Sequence, residues 1–176
     1  MPLLTALAIS IGILGGIATY LFVGPAAGLG LQIWAAFIAW ACFYHCGGKE
    51  GGLMTTIACN ILGAVIGWLA LIGVTQLAGG LGVPLAAGIC VAIGAAAIVL
   101  FANIPTFATI PATVYGFGCV AGFTLLHTKL DTLYSGAITD NPLMNIVASM
   151  VIGAVFGYVS EKVGGMLAAS PSTAKA

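Results

Sequence analysis

Long apolar runs separated by brief polar or glycine-rich breaks organise this chain. Six runs can be walked off. They cover about 3–23, ended by Gly24-Pro25; about 29–46, ended by Gly47-Gly48-Lys49-Glu50-Gly51-Gly52; about 53–78, ended by Gly79-Gly80; about 84–102, opened by Pro84; about 106–127; and about 142–160, opened by Asn141-Pro142. Residues 161–176 read as a polar tail. The runs are continuous and lack period-two alternation, so they predict helices rather than strands. Proline in a first turn and glycine past a last turn suit the same boundaries.

Composition turns these helices into membrane spans. Of 176 residues, 61% are hydrophobic and 5% charged, with no arginine and a formal net charge of zero. Eight charged side chains cannot cover a soluble fold of this size. No basic patch exists to hold nucleic acid, and disorder requires low hydrophobicity. Six spans of about 20 residues account for roughly 120 positions and leave short loops. The expected fold is therefore an all-α membrane protein of six transmembrane helices, residues 1–160 forming one transmembrane domain and 161–176 a cytoplasmic tail. The first run lacks a basic leader and is too long for a signal-peptide core, so it is expected to be retained.

Lysine placement orients the spans. With the N-terminus inside, Lys49, Lys162 and Lys175 are cytoplasmic, while Lys129 lies outside with Asp131 and Asp140. Both termini are then cytoplasmic, and the longest loop, 127–141, is external.

The chain also resembles itself. Leu53–Trp68 lies over Leu143–Tyr158 at an offset of 90, with seven identities in sixteen positions, including Gly63/Gly153 and Gly67/Gly157. A weaker match at offset 82 pairs Pro2 with Pro84, Gly12 with Gly94 and His45 with His127. Two halves of three spans, about 1–80 and 84–160, follow. An odd number of spans places the second half upside down, an inverted repeat of the kind whose pathway lies between repeats. Gly12/Gly16, Gly63/Gly67, Gly118/Gly122 and Gly153/Gly157 are small-xxx-small pairs that let helix backbones approach closely. Most are expected inside the protomer, with one or two left for a homo-oligomer contact.

Chemistry is limited by an absence: no Asp, Glu, Lys or Arg falls within an expected span. Ion-coupled carriers usually keep an ionisable group at depth, and a hydrolase needs an activated nucleophile. Neither catalysis nor a catalytic residue is expected. The five cysteines read as packing thiols. Cys42, His45 and Cys46 share a helix face but lack a fourth ligand, so no metal and no cofactor is assigned. The glycine-rich run 47–52 lacks the GK[ST] ending of a phosphate loop and reads as a tight turn.

The segment 103–116 stands out. Pro105 and Pro111 break the backbone and free carbonyls that are tolerated at membrane depth only beside protein or water. Asn103, Thr106, Thr109, Thr113 and Tyr115 place neutral donors and acceptors beside them, the set expected to line a path or bind a solute. In the other half, Pro25, Gln32 and Trp34 occupy the comparable connection, and Asn60 and Asn145 are expected to join helices by hydrogen bonds.

The stretch from Cys42 to Gly52, the segment Ile104 to Gly116 with its Pro-x-Thr-x-x-Gly pattern at Pro111, Thr113 and Gly116, and Ile152 to Tyr158 together resemble a bacterial inner-membrane family of unknown function, the 1097 family. The resemblance covers about 3–168, departs in the long loop around 130–140, and implies a location without a substrate or active residues. The functional expectation rests on the residues. It is a channel or facilitator for a small neutral solute of the urea, amide, small alcohol, ammonia or water class, seated in the bilayer, homo-oligomeric and without nucleic-acid partners. A cation-coupled secondary transporter and a non-transporting subunit of a larger complex are the alternatives.

Overall fold

In a computed structural model, residues 1–169 are described. The last seven residues, including Lys175 of the expected tail, lie outside the described residues. The described chain holds six α-helices: α1 (Leu3–Val23), α2 (Ile33–His45), α3 (Lys49–Leu81), α4 (Val83–Phe101), α5 (Ile110–Leu126) and α6 (Pro142–Ala169). Short 3-10 turns at Ala27–Leu29, Pro105–Phe107 and Leu130–Thr132 interrupt the connections, and no strand occurs among the described residues. Four helices, α1, α3, α4 and α6, are long and apolar enough to cross a membrane.

Two expected spans are shorter than the hydropathy suggested. The run 29–46 yields 13 helical residues in α2, and the run 106–127 yields 17 in α5. At 1.5 Å per residue these reach about 20 and 26 Å, against a hydrocarbon core of about 30 Å. The shortfall has one cause in both places. Gly24-Pro25 and Pro105 end the preceding helix, and the apolar residues after them enter 3-10 turns instead of helix. The long helices err the other way. The start of α3 takes in Lys49-Glu50-Gly51-Gly52, leaving the turn only Cys46 to Gly48, and α6 continues through the first part of the expected tail to Ala169. Gly48 has φ 68° and ψ −162°, and a side chain there would meet the Glu161 carboxylate, so glycine is required. Gly52 lies against the Cys46 and Phe43 carbonyls, which draws the first turn of α3 onto the end of α2.

The packing exchanges elements between the two halves. Helices α1 and α2 pack mainly on α6, and α4 and α5 mainly on α3. The contacts come in corresponding pairs. A Cβ at Gly63 would collide with the Thr113 carbonyl of α5, and one at Gly153 with the Ala36 carbonyl of α2. Gly67 then meets Val120, and Gly157 meets Phe43, so each short helix runs parallel to the long helix it grips. Gly116 returns the contact on the Asn60 carbonyl. In a bilayer, dispersion at such backbone contacts replaces the hydrophobic drive available in water. By contrast, Gly12, Gly16, Gly118 and Gly122 have nothing within 4 Å, so two of the four glycine pairs close the fold and two face outward.

The start of α3 lies beside the end of α6. Lys162 pairs with Glu50 at 2.8 Å, Tyr158 donates to the same carboxylate, and the Lys49 amide donates to Glu161. The start of α1 joins them, with Leu7 against Gly164 and the Ser10 hydroxyl donating to the Ser160 carbonyl. Ser160 is fully buried; its hydroxyl receives the Trp40 indole and bonds Tyr44, tying α2 to α6. At the other end the loop 127–141 is folded down. Leu133 is completely buried, and its carbonyl receives both the Trp68 indole and the Asn141 amide. Asn141 also caps α6 by accepting from the Leu143 and Met144 amides.

Where α2, α3, α5 and α6 meet, the interior is apolar, filled by Ala35, Ala39, Ala64, Val120, Ile146 and Ala154 among others. Large apolar side chains also cover the outside, with Leu4 and Leu126 each 81% exposed. Such a surface is compatible with a membrane protein.

Gly153→Val is expected to lower stability by about 1–3 kcal/mol or more, because the backbone of α2 cannot yield, whereas Gly12→Val changes it little. Thermal unfolding of the two variants in detergent checks this difference.

Candidate functional site

The connections before α2 and α5 do not float at the helix ends. Each is pinned to the interior of the long helix on which the following short helix packs. The Gln32 amide, at the entrance to α2, donates to the Ser149 hydroxyl on α6 at 2.9 Å. The Cys59 thiol on α3 donates to the Thr106 carbonyl at 3.6 Å, and the Thr109 backbone, at the entrance to α5, also lies beside it. Cys59 and Ser149 are 90 positions apart, the spacing of Gly63 and Gly153. Cys59 lies ten residues into α3, about 15 Å along its axis. The broken backbone is thus carried deep along the long helix.

Around Cys59 a wedge of buried side chains lies between α2, α3 and α5. Cys42, Cys59 and Ala112 form its buried wall, with Cys46, Phe107 and Tyr115 packed against them. The Cys42 thiol donates to the Asn60 side-chain carbonyl at 3.6 Å and has the Cys46 sulfur at 3.9 Å and the Thr56 hydroxyl beside it. Thr113 approaches Cys59 from α5. Thr56, Asn60 and Thr113 are all at least 97% buried. At the outer edge His45 Nδ1 and the Tyr115 hydroxyl are 3.1 Å apart, bridging the end of α2 to α5.

Of the five residues expected to line a path, four come to this wedge and one does not. Thr113 enters with its side chain, Tyr115 closes the edge, and Thr106 and Thr109 contribute backbone. Asn103 is exposed and donates to the Leu100 carbonyl, finishing α4 instead. A residue two positions past a helix end satisfies that helix's free carbonyls more readily than it reaches into a neighbour. Pro105 opens the 3-10 turn and Pro111 lies in the first turn of α5. The centre of the contact between the halves is the apolar core described above. The polar groups stand at its edge, between α2 and α3 of the first half and α5 of the second.

Thr56 and Ser149 had no distinguishing sequence signal. Each is one hydroxyl in an apolar run, and only the packing shows which hydroxyls face inward. Cys42, His45 and Cys46 were legible as one helix face, and that face does border the wedge. No group of three or more His, Cys, Asp or Glu side chains among the described residues is arranged to hold a metal. The outer grooves are apolar; one of about 420 Å³ between α3 and α4 is walled by Ile66, Leu69, Gly73, Cys90, Ile93 and Phe101.

Long apolar helices, backbone contacts through glycine and a neutral polar wedge define an all-helical protein suited to a bilayer. The family model for proteins of unknown function, DUF1097, matches residues 8–165, and the chain belongs to that family. No curated protein and no solved structure matches it.

Ser149→Ala leaves the Gln32 amide without its partner at depth and is expected to cost about 1–3 kcal/mol. Unfolding of this variant in detergent, compared with Ser149→Thr, which keeps the acceptor, checks that the hydroxyl rather than the volume matters.

Proposed function

We propose that this protein is a multi-pass membrane channel or facilitator that passes a small neutral solute, of the urea, amide, small alcohol, ammonia or water class. One observation carries the reading. The irregular segments before α2 and α5 are fastened to interior positions of α6 and α3, and every side chain that meets them there is uncharged. Broken backbone at depth is tolerated where it faces protein or a wet cavity. Neutral hydroxyl, amide and carbonyl groups replace a solute's hydration without trapping it by charge. An ion would find no counter-charge in the wedge.

The paired contacts support two inverted three-helix repeats. Gly63 and Gly153, Gly67 and Gly157, and Cys59 and Ser149 each do corresponding work, and the start of α3 lies beside the end of α6. Helices α2 and α5, too short to cross alone, act with their leading segments as spans two and five of a six-span topology. We place the protein in the bacterial inner membrane with both termini cytoplasmic, as the lysines favour, and assign the outward glycines of α1 and α5 to homo-oligomer contacts.

Stopped-flow measurements on proteoliposomes test the reading. At least one solute of the neutral panel is expected to equilibrate faster than in empty liposomes, at a rate that does not change when proton and sodium gradients are collapsed. Equality with empty liposomes across the panel contradicts it, and a rate that follows a cation gradient replaces it with coupled transport.

A further inference from the structure

Among the described residues, four buried side-chain atoms have no hydrogen-bond partner: Thr56 Oγ1, Asn60 Nδ2, Thr113 Oγ1 and Asn145 Oδ1. The first three belong to the wedge. Each such orphan costs about 1–3 kcal/mol, and three in one place call for an explanation. Helical hydroxyls have a ready remedy, which is to donate to the carbonyl four residues back. Thr19, Thr124 and Ser149 all take it, onto Gly15, Val120 and Asn145. Thr56 and Thr113 do not. The Cys42 thiol donates to the Asn60 side-chain oxygen and the Cys59 thiol to the Thr106 carbonyl; the Thr56 and Thr113 hydroxyls have only these sulfurs, weak acceptors, beside them, and the Asn60 amide nitrogen has no acceptor.

We propose that Thr56, Asn60 and Thr113 form a binding site for one small neutral molecule that presents an acceptor atom to the Asn60 amide and exchanges hydrogen bonds with the two hydroxyls. Its role in conduction rests on the function proposed above; its existence as a site does not. The Asn60 amide group offers only protons, which repel a cation placed beside it, and no side chain of the wedge carries a fixed charge to hold an anion. Size is bounded by the fold. The Gly63–Thr113 and Gly116–Asn60 backbone contacts hold α3 and α5 together on one side of the site. The guest proposed there is accordingly small, of a few heavy atoms, such as a water, a simple amide or urea. A carbonyl oxygen from such an amide satisfies the Asn60 donor, and its N–H groups find the two hydroxyl oxygens.

The test uses the full chain in proteoliposomes, with formamide as the probe. Thr56→Val and Thr113→Val remove one hydroxyl each at nearly constant volume, and Asn60→Leu removes the amide. Because the hydroxyls are unpartnered in the protein, each valine variant is expected to unfold at the same temperature as the parent or higher. A residue kept only for packing gives that result and nothing more. The site adds a second readout. Formamide is expected to slow the reaction of the Cys42 and Cys59 thiols with neutral methyl methanethiosulfonate, followed by intact mass. Each of the three variants is expected to raise the formamide concentration required about tenfold, one lost hydrogen bond's worth. Formamide protection that is absent in the parent, or equal in parent and variants, overturns the site, as do thiols that never react. Protection without any solute flux keeps the site and removes the transport reading. Robust flux that is identical in all three variants, with no formamide protection, keeps transport and removes the site.

Discussion

Backbone contact through glycine is the constraint on which this structure depends. At Gly63 and Gly153 the carbonyl of a neighbouring helix occupies the place where any side chain would begin. A bilayer offers no gain for pressing apolar surfaces together, so helices there associate through close packing and polar contacts. The two glycines supply the first. They seat α5 on α3 and α2 on α6, and with those positions set the rest of the architecture follows. The short helices lie parallel to the long ones, their leading segments reach Cys59 and Ser149, and the two halves hold each other by exchanged elements.

The same closeness determines where polarity can survive. Four helices packed on Ala35, Ala39, Ala64, Val120 and Ala154 fill the centre with apolar side chains. The polar residues are displaced to the edge, between α2 and the α3–α5 pair. A neutral wedge beside a dry seam is the consequence. Beside the Gly63 and Gly116 backbone contacts, the Thr56 and Thr113 hydroxyls and the Asn60 amide are left without hydrogen-bond partners.

Much of this was legible in the sequence, and the failures have physical causes. The first helix matches its expected run because Pro2 and Gly24-Pro25 bound it sharply. The Gly63/Gly67 and Gly153/Gly157 correspondence was visible as spacing, since a backbone contact demands glycine and little else. Hydropathy overestimated α2 and α5 because an apolar 3-10 turn and an apolar helix have the same composition. It underestimated α3 and α6 because Lys49-Glu50 and Glu161-Lys162 read as loop residues, whereas in the fold they pair across the two helix ends. The segment 103–116 was correctly singled out as unusual, yet Asn103 serves the end of α4. Its neighbours matter more through backbone than through side chains. Thr56 was invisible for a general reason: which of several hydroxyls in an apolar run faces inward is decided by helix rotation, and rotation is set by distant glycines.

The claim that most needs testing is that the wedge is wet. An experimental structure in lipid nanodiscs, at a resolution that shows ordered solvent, tests it most directly. The account predicts non-protein density between Thr56, Asn60 and Thr113, within hydrogen-bonding distance of the Asn60 amide nitrogen. A dry wedge, with that amide and both hydroxyls turned onto protein carbonyls, contradicts it.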